Sequence, residues 1–321
     1  MQFRKLKVVC FGGGTGLPSL LAGLKHNPRL DITAVVNTFD TGGSSGELRD
    51  RFGILPPGDI LKCLVALSED EMNARKIFLR RILNKQSPGH TGGNVLLMGL
   101  EKVYGNYRDA VDALGQILSV KGRVLPVTND QATLCARYSD GSIHKGEVSV
   151  DAGVHDGKEI EALFLEPTTP ASDAVLAAIT DADVLCIGPG SFYTSVISNF
   201  LPKGVKESII HSNAPIVFVA NLLTEGLGMG GYTVEKVVAI LEGYIGKAVD
   251  AVLVNNKFPA EGLLAKYAGE KKAPLRRSVP NGDQRYAEAE LWLDGTIARH
   301  DSDRLANLVF SAIERLTAKS G

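Results

Sequence analysis

Apolar positions in the first quarter of the chain follow two alternating periods. Residues 6–11 (Leu-Lys-Val-Val-Cys-Phe) and 32–37 are short apolar runs of the kind buried strands carry, whereas Leu17, Leu20, Leu21 and Leu24 fall at i, i+3, i+4 and i+7 and make one helix face. The pattern predicts strands over 6–11 and 32–37 and helices over 17–25 and 60–67, a β-α-β start that builds a parallel sheet. Between them, residues 38–58 read as a long polar, glycine-rich loop, and loops beyond about 12–15 residues are usually functional or disordered. Helices are predicted over 71–83, 93–103 and 108–118.

Strand patterns then take over at 124–128, 132–138, 142–150 and 160–165, with Ser139-Asp140-Gly141 as a hairpin turn. Residues 122–166 therefore read as an antiparallel β insertion, suited to a lid or a partner surface. The α/β alternation resumes with strands at 183–187, 216–220 and 251–254 and helical periodicity at 196–201 and 234–244. A last helix over 302–316 has Leu305, Leu308, Val309, Ala312, Ile313 and Leu316 as its buried stripe. No repeat, low-complexity tract or linker interrupts the pattern, so residues 1–321 read as one α/β domain.

Composition narrows the function classes. A chain of 321 residues, 44% hydrophobic, is long enough to bury a large core. Its 35 basic residues balance 36 acidic ones, so charge makes no case for nucleic acid or acidic membranes as partners. Cys10, Cys63, Cys135 and Cys186 lie far apart within apolar runs, without metal-ligand spacing, as buried thiols of a reducing compartment do. No stretch of about 18 apolar residues and no signal-type leader is present, and a cytoplasmic protein without membrane insertion is expected.

Candidate chemistry begins where the first strand meets the first helix. Gly12-Gly13-Gly14-Thr15-Gly16 is a glycine turn at a helix N-terminus, where unpaired N–H groups and the helix dipole favour a phosphate or diphosphate. Leu17 replaces the third glycine of the Rossmann fingerprint, and no Walker-type lysine follows. Gly188-Pro189-Gly190-Ser191 repeats the arrangement after the strand at 183–187. Asn129, Asp130 and Asn221 likewise end strands, at the sheet edge where ligands of α/β proteins bind.

Asp40 sits in the polar loop, where a carboxylate either binds a metal or substrate hydroxyl or caps its own turn. Asp59, after Pro56-Pro57-Gly58, reads as a helix N-cap or as a partner of Asp40 on one Mg²⁺ held through ligand phosphates. His90-Thr91-Gly92-Gly93-Asn94 combines a candidate N-cap, Thr91, with polar groups suited to a sugar. HExxH spacing and a GxSxG elbow are both missing, which argues against a zinc or serine hydrolase, and Ser191 has no evident base.

Five motifs, GGGTGLPSLLAGL from Gly12, VVNTFDTGGSSGELR from Val35, LPPGD from Leu55, HTGGN from His90 and IGPGSFYTSVI from Ile187, together resemble the YvcK-type proteins. These are called gluconeogenesis factors and are related to the CofD-type 2-phospho-L-lactate transferases. The resemblance implies a Rossmann-like, doubly wound, mostly parallel sheet with a nucleotide-diphosphate pocket. It implies nucleotide and phosphate contacts from Gly12, Gly13, Gly14, Thr15, Gly16, Asn37, Gly188, Pro189, Gly190, Ser191 and Asn221. Thr41, Ser44, Ser45, His90, Thr91 and Asn94 are the expected sugar or acceptor pocket.

Two functions follow as expectations. One is a UDP-sugar-binding regulator of cell shape and growth on gluconeogenic carbon, compatible with a homodimer and an unidentified regulatory partner. The other is a Mg²⁺-dependent transferase with a nucleotide diphosphate donor, using Asp40 and Asp59. The chain departs from the transferases at Thr41, where they carry a second aspartate, and lacks a clear counterpart of their acceptor-binding stretch around His90 to Asn94. It departs from many gluconeogenesis factors at Glu225-Gly226-Leu227-Gly228, where they carry Pro-Gly-Glu-Thr.

Overall fold

Seven parallel strands in two oppositely wound halves set up the molecule, as the computed structural model describes it for residues 4–81, 89–278, 283–295 and 297–318. In chain order the strands are β1 (Leu6–Gly12), β2 (Leu30–Val36), β3 (Arg123–Pro126), β4 (Thr133–Tyr138), β5 (Ile143–Lys145), β6 (Ile160–Glu166), β7 (Val184–Ile187), β8 (Ile216–Val219), β9 (Ala251–Asn255) and β10 (Tyr286–Ala289). The main sheet has the order β10-β9-β8-β7-β1-β2-β3, and β5-β4-β6 forms a separate antiparallel sheet. The winding reverses between β1 and β7. Cys10 is in register with Cys186 and Phe11 with Ile187 there, so the two glycine turns leave the sheet side by side. Such a reversal opens the crevice in which doubly wound folds bind ligands.

Both faces of the sheet are buried, which is why its strands read as continuous apolar runs. Val8, Cys10, Ala34, Val36, Cys186, Val217 and Leu253 point to one core, and Val9, Phe11, Val35, Ile187, Phe218 and Val252 to the other. The first core is closed by helices α1 (Gly16–Leu24), α3 (Gly58–Leu67), α6 (Tyr107–Ile117) and α12 (Ser302–Thr317), where α2 is Gly43–Phe52, α4 Glu71–Phe78, α5 Gly92–Tyr104, α7 Glu147–His155, α8 Asp173–Thr180, α9 Val205–His211, α10 Val234–Ile245 and α11 Glu261–Gly269. The second core is closed by α8, α9 and α10 together with Leu134, Ala136, Leu163 and Leu165 of the small sheet. All four cysteines are buried and free. Among the described residues no helix is long and apolar enough to cross a membrane.

Five sequence expectations change. The polar loop at 38–58 contains α2, a helix of weak intrinsic propensity held by tertiary contacts: Leu48 is buried, and the Arg49 guanidinium bonds Ala132 O and Thr133 Oγ1. Residues 123–126 join the parallel sheet beside β2, so the antiparallel piece begins at Thr133 rather than at 122. The strand expected over 142–150 stops at Lys145. Gly146, at φ +89°, turns the chain into α7, whose buried Val150, Gly153 and Val154 have helical spacing that the alternation in Glu147-Val148-Ser149-Val150 conceals. The helix expected over 196–201 is a π turn at Phe192–Val196 followed by a 3-10 turn at Ile197–Phe200. The helix from Glu71 ends at Phe78, and residues 82 and 83 of the expected span lie outside the described residues.

Candidate functional site

The two glycine turns pack directly on each other. A Cβ at Gly16 would lie inside the Pro189 carbonyl group, and one at Gly190 would come within 3.2 Å of Gly13 O. Asn221, just after β8, clamps the second turn: its Oδ1 accepts Gly190 N–H at 3.2 Å and its Nδ2 donates to Gly190 O at 2.7 Å. Asn37 Nδ2 is buried behind the first turn and has no hydrogen-bond partner.

A cavity of about 620 Å³ opens at this junction. Its floor is Gly14, Thr15, Gly16, Pro189, Gly190 and Ser191, with Asn221 in the wall. Gly12, Gly13, Gly188 and Asn37 do not line it; the first two are fully covered, and Gly188 N–H bonds Phe11 O at 2.8 Å to hold the two turns in register. Of the expected nucleotide contacts, the structure thus brings seven to the cavity and leaves four behind its wall.

Asp59 is not an N-cap, because α3 starts at Gly58 with Pro57 at its cap position. Its carboxylate instead accepts Gly14 N–H at 2.6 Å and pairs with Lys62 Nζ at 2.9 Å. Asp40 accepts Gly42 N–H at 2.7 Å, closing its own turn. Burial raises the Asp40 pKa, the Gly42 N–H opposes this, and the Asp59 charge adds to it. Among the described residues no group of three or more His, Cys, Asp or Glu side chains is placed to hold a metal ion. Both Asp59 oxygens are engaged within the chain, one by Gly14 N–H and the other by Lys62.

The expected sugar pocket is a hydrogen-bonded cluster at the N-termini of α2 and α5, outside the cavity. Thr91 caps α5 by accepting Asn94 N–H at 3.2 Å, Asn94 Nδ2 donates to Ser44 Oγ at 3.2 Å, and Ser44 Oγ lies 2.7 Å from His90 Nδ1. Thr41 Oγ1 accepts Val148 N–H at 3.3 Å and so ties the loop to α7. Ser45 is buried under the same loop, and its hydroxyl leaves no room for a side chain at Gly58.

The rest of the cavity wall was missed in the sequence. Asp151 and His155 come from α7, Glu225 and Leu222 from the loop after β8, Tyr267 from α11, and Lys272, Ala298 and His300 from the C-terminal quarter. Glu225 takes Phe192 N–H with both oxygens, at 3.1 and 2.9 Å, and its Oε1 also accepts from Asn221 Nδ2 at 3.2 Å. Its place four residues after Asn221, beyond a strand end, was a usable signal. Asp151 was hidden by the strand reading of α7. Tyr267 and His300 carry no local signal, because other elements bring them in.

Burial dominates the electrostatics here. It pushes the Asp151 carboxyl up to about 6 and that of Glu225 to about 8, with Asp151 adding to the latter. Glu147, one helical turn from Asp151, is pushed up to about 7 by burial and then by Asp40. The His300 imidazole is pushed down to about 4, so it is neutral at physiological pH, and its Nε2 has no hydrogen-bond partner. The cavity therefore has the two glycine turns on one side and a tyrosine with a neutral imidazole elsewhere in its wall.

Comparison with known proteins places this architecture. Residues 8–289 match the family described as 2-phospho-L-lactate transferase CofD. A putative gluconeogenesis factor of Thermotoga maritima is 40% identical over 312 residues, covering 95% of this chain and 98% of that protein. The gluconeogenesis factor of Bacillus subtilis is 34% identical over 320 residues, covering 97% and 99%. A crystal structure of a UPF0052-family protein from Bacillus halodurans superposes with a TM-score of 0.88 at 36% identity, covering 96% of this chain and 99% of the other. With a family match over most of its length and relatives of this identity end to end, the chain belongs to the CofD family, among the gluconeogenesis factors.

Proposed function

We propose that this protein binds a uridine-type nucleoside diphosphate sugar and acts as a cytoplasmic regulator of cell shape and growth on gluconeogenic carbon. The observation that carries this reading is the cavity at the β1/β7 reversal, floored by both glycine turns and walled by Tyr267 and His300. The diphosphate would lie on Gly14 to Gly16 and Gly190 to Ser191, and the base against the aromatic part of the wall. The regulatory part rests on the relatives' name, gluconeogenesis factor.

Calorimetry with UDP-N-acetylglucosamine, UDP-glucose, GDP and NADP tests the ligand class; absence of uridine-nucleotide binding at millimolar concentration would sink it. Asn221→Ala is expected to weaken binding about thirtyfold, because two clamp bonds that hold the Gly190 turn are lost, each of the ~1 kcal/mol net size usual for hydrogen bonds. Unchanged affinity would mean that the ligand does not use this turn.

The family's description as 2-phospho-L-lactate transferase and the half-buried carboxyl of Asp40, raised by burial, favour a second reading, transfer of a phosphorus-containing group. In that case Asp40→Asn abolishes product formation from a nucleotide diphosphate donor while leaving donor binding intact. Mg²⁺ would have to arrive with the donor phosphates, since the side chains do not form its site alone. Should no donor and acceptor pair yield product with the unaltered protein, this second reading falls.

A further inference from the structure

One backbone donor at each glycine-turn junction is already taken by a carboxylate of the chain. Asp59 accepts Gly14 N–H, and Glu225 accepts Phe192 N–H. What neutralises them differs. Asp59 has Lys62 Nζ at 2.9 Å and is not part of the cavity wall. Glu225 is in the wall, half-buried, and its direct partners are the neutral donors Phe192 N–H and Asn221 Nδ2.

The titratable and charged groups around that cavity are few. Asp151 and His155 face it from α7, Tyr267 from α11, Lys272 from the segment after α11, and His300 from before α12. Lys272 also pairs with Glu270 at 3.0 Å, and His300 is neutral. A diphosphate entering this space brings negative charge beside two carboxyl groups with one shared cation at the rim. Such an arrangement is unfavourable unless a carboxyl gives up its charge.

We propose that Glu225 enters the complex as the neutral acid, so that wherever its free carboxyl is ionised the cavity takes up its diphosphate ligand together with one proton from solvent. The inference rests on the nucleotide-binding reading above and adds its proton linkage. Glu225 Oε1 already accepts from two donors and Oε2 from one, so Oε2 is the oxygen with room for the proton. As the neutral acid, that oxygen supplies a hydrogen-bond donor to the ligand where the carboxylate would repel it. Burial, which lifts this carboxyl to about 8, already favours the protonated form before any ligand arrives.

Calorimetry of the full chain without divalent cations, in paired buffers of different ionisation enthalpy from pH 6.5 to 9, tests this with two probes, UDP-N-acetylglucosamine and inorganic pyrophosphate. Wild type is expected to lose affinity about tenfold per pH unit above pH 8 and to approach uptake of one proton per ligand. Glu225→Gln keeps an acceptor for Phe192 N–H and mimics the neutral acid; its affinity should change less with pH, and the ligand's own ionisation cancels in the difference. Proton release on binding, or the same pH dependence in both proteins, overturns the proposal, and so does an absolute need for Mg²⁺, since the cation would then neutralise the site. The wild-type proton count decides the matter even if the variant fails to fold. Proton-linked pyrophosphate binding without UDP-sugar binding overturns only the ligand reading, whereas failure of both probes overturns both.

Discussion

Gly16→Ala is expected to abolish nucleotide binding and to lower the unfolding free energy by about 3 kcal/mol. The added methyl group would lie inside the Pro189 carbonyl and close on Gly190 N, both of them backbone atoms that no side-chain rotation can clear. Relief requires the two glycine turns to separate, and their contact is the floor of the cavity. Gly99→Ala is the matched control. Gly99 lies within α5, and a Cβ there meets nothing within 4 Å, so the same substitution should be neutral or stabilising by about 0.5–1 kcal/mol. Denaturant unfolding and calorimetry read both variants; wild-type affinity in Gly16→Ala would show that the contact between turns is dispensable.

Stability is expected to fall as pH rises from about 5 to 8, by a few kcal/mol in total. Asp151, Glu147 and Glu225 have native values of about 6, 7 and 8, against about 4 for unfolded carboxyls. Groups raised on folding bind more protons in the native state, so their contribution is complete below pH 4 and is lost as each native value is passed. Groups lowered on folding act in the opposite sense: Glu235, held at about 2, loses its contribution as pH falls from about 4, and His300, held at about 4 against about 6.5 when unfolded, offsets part of the fall between pH 5 and 6.5. Maximum stability should therefore lie near pH 5. The triple variant Glu147→Gln, Asp151→Asn, Glu225→Gln should flatten the curve between pH 5 and 8, as urea unfolding at each pH would record. A wild-type curve that is level or rising across that range would contradict the assignment.

Both predictions concern groups whose importance differs in how far it is visible along the chain. Gly16 stood out because a strand period, a glycine run and a helix period follow one another within twenty residues. The pairing of that turn with Gly188 to Ser191 was also legible, since both follow apolar strand runs. Glu147 and Asp151 were not, because Glu-Val-Ser-Val alternates like a strand. Only the positive φ of Gly146 and the packing of Val150 and Val154 against the core make that segment a helix and put both carboxyls on one side of it. The polar cluster of Ser44, His90, Thr91 and Asn94 was found as a group, and its members bond one another at the ends of α2 and α5, with Asn94 Oδ1 left without a partner.

The sequence by itself determined the parallel α/β architecture and the two glycine turns at strand–helix junctions, because periodicity and glycine placement are local properties that neighbouring residues impose on the backbone. Its motifs also identified the family. Only the tertiary structure decided that Asp59 engages the first turn and Glu225 the second, and that Tyr267, Lys272 and His300 complete the cavity. Those residues lie 45 to more than 250 positions from Gly14, and their meeting depends on strand order and on how the helices pack, which no local pattern encodes.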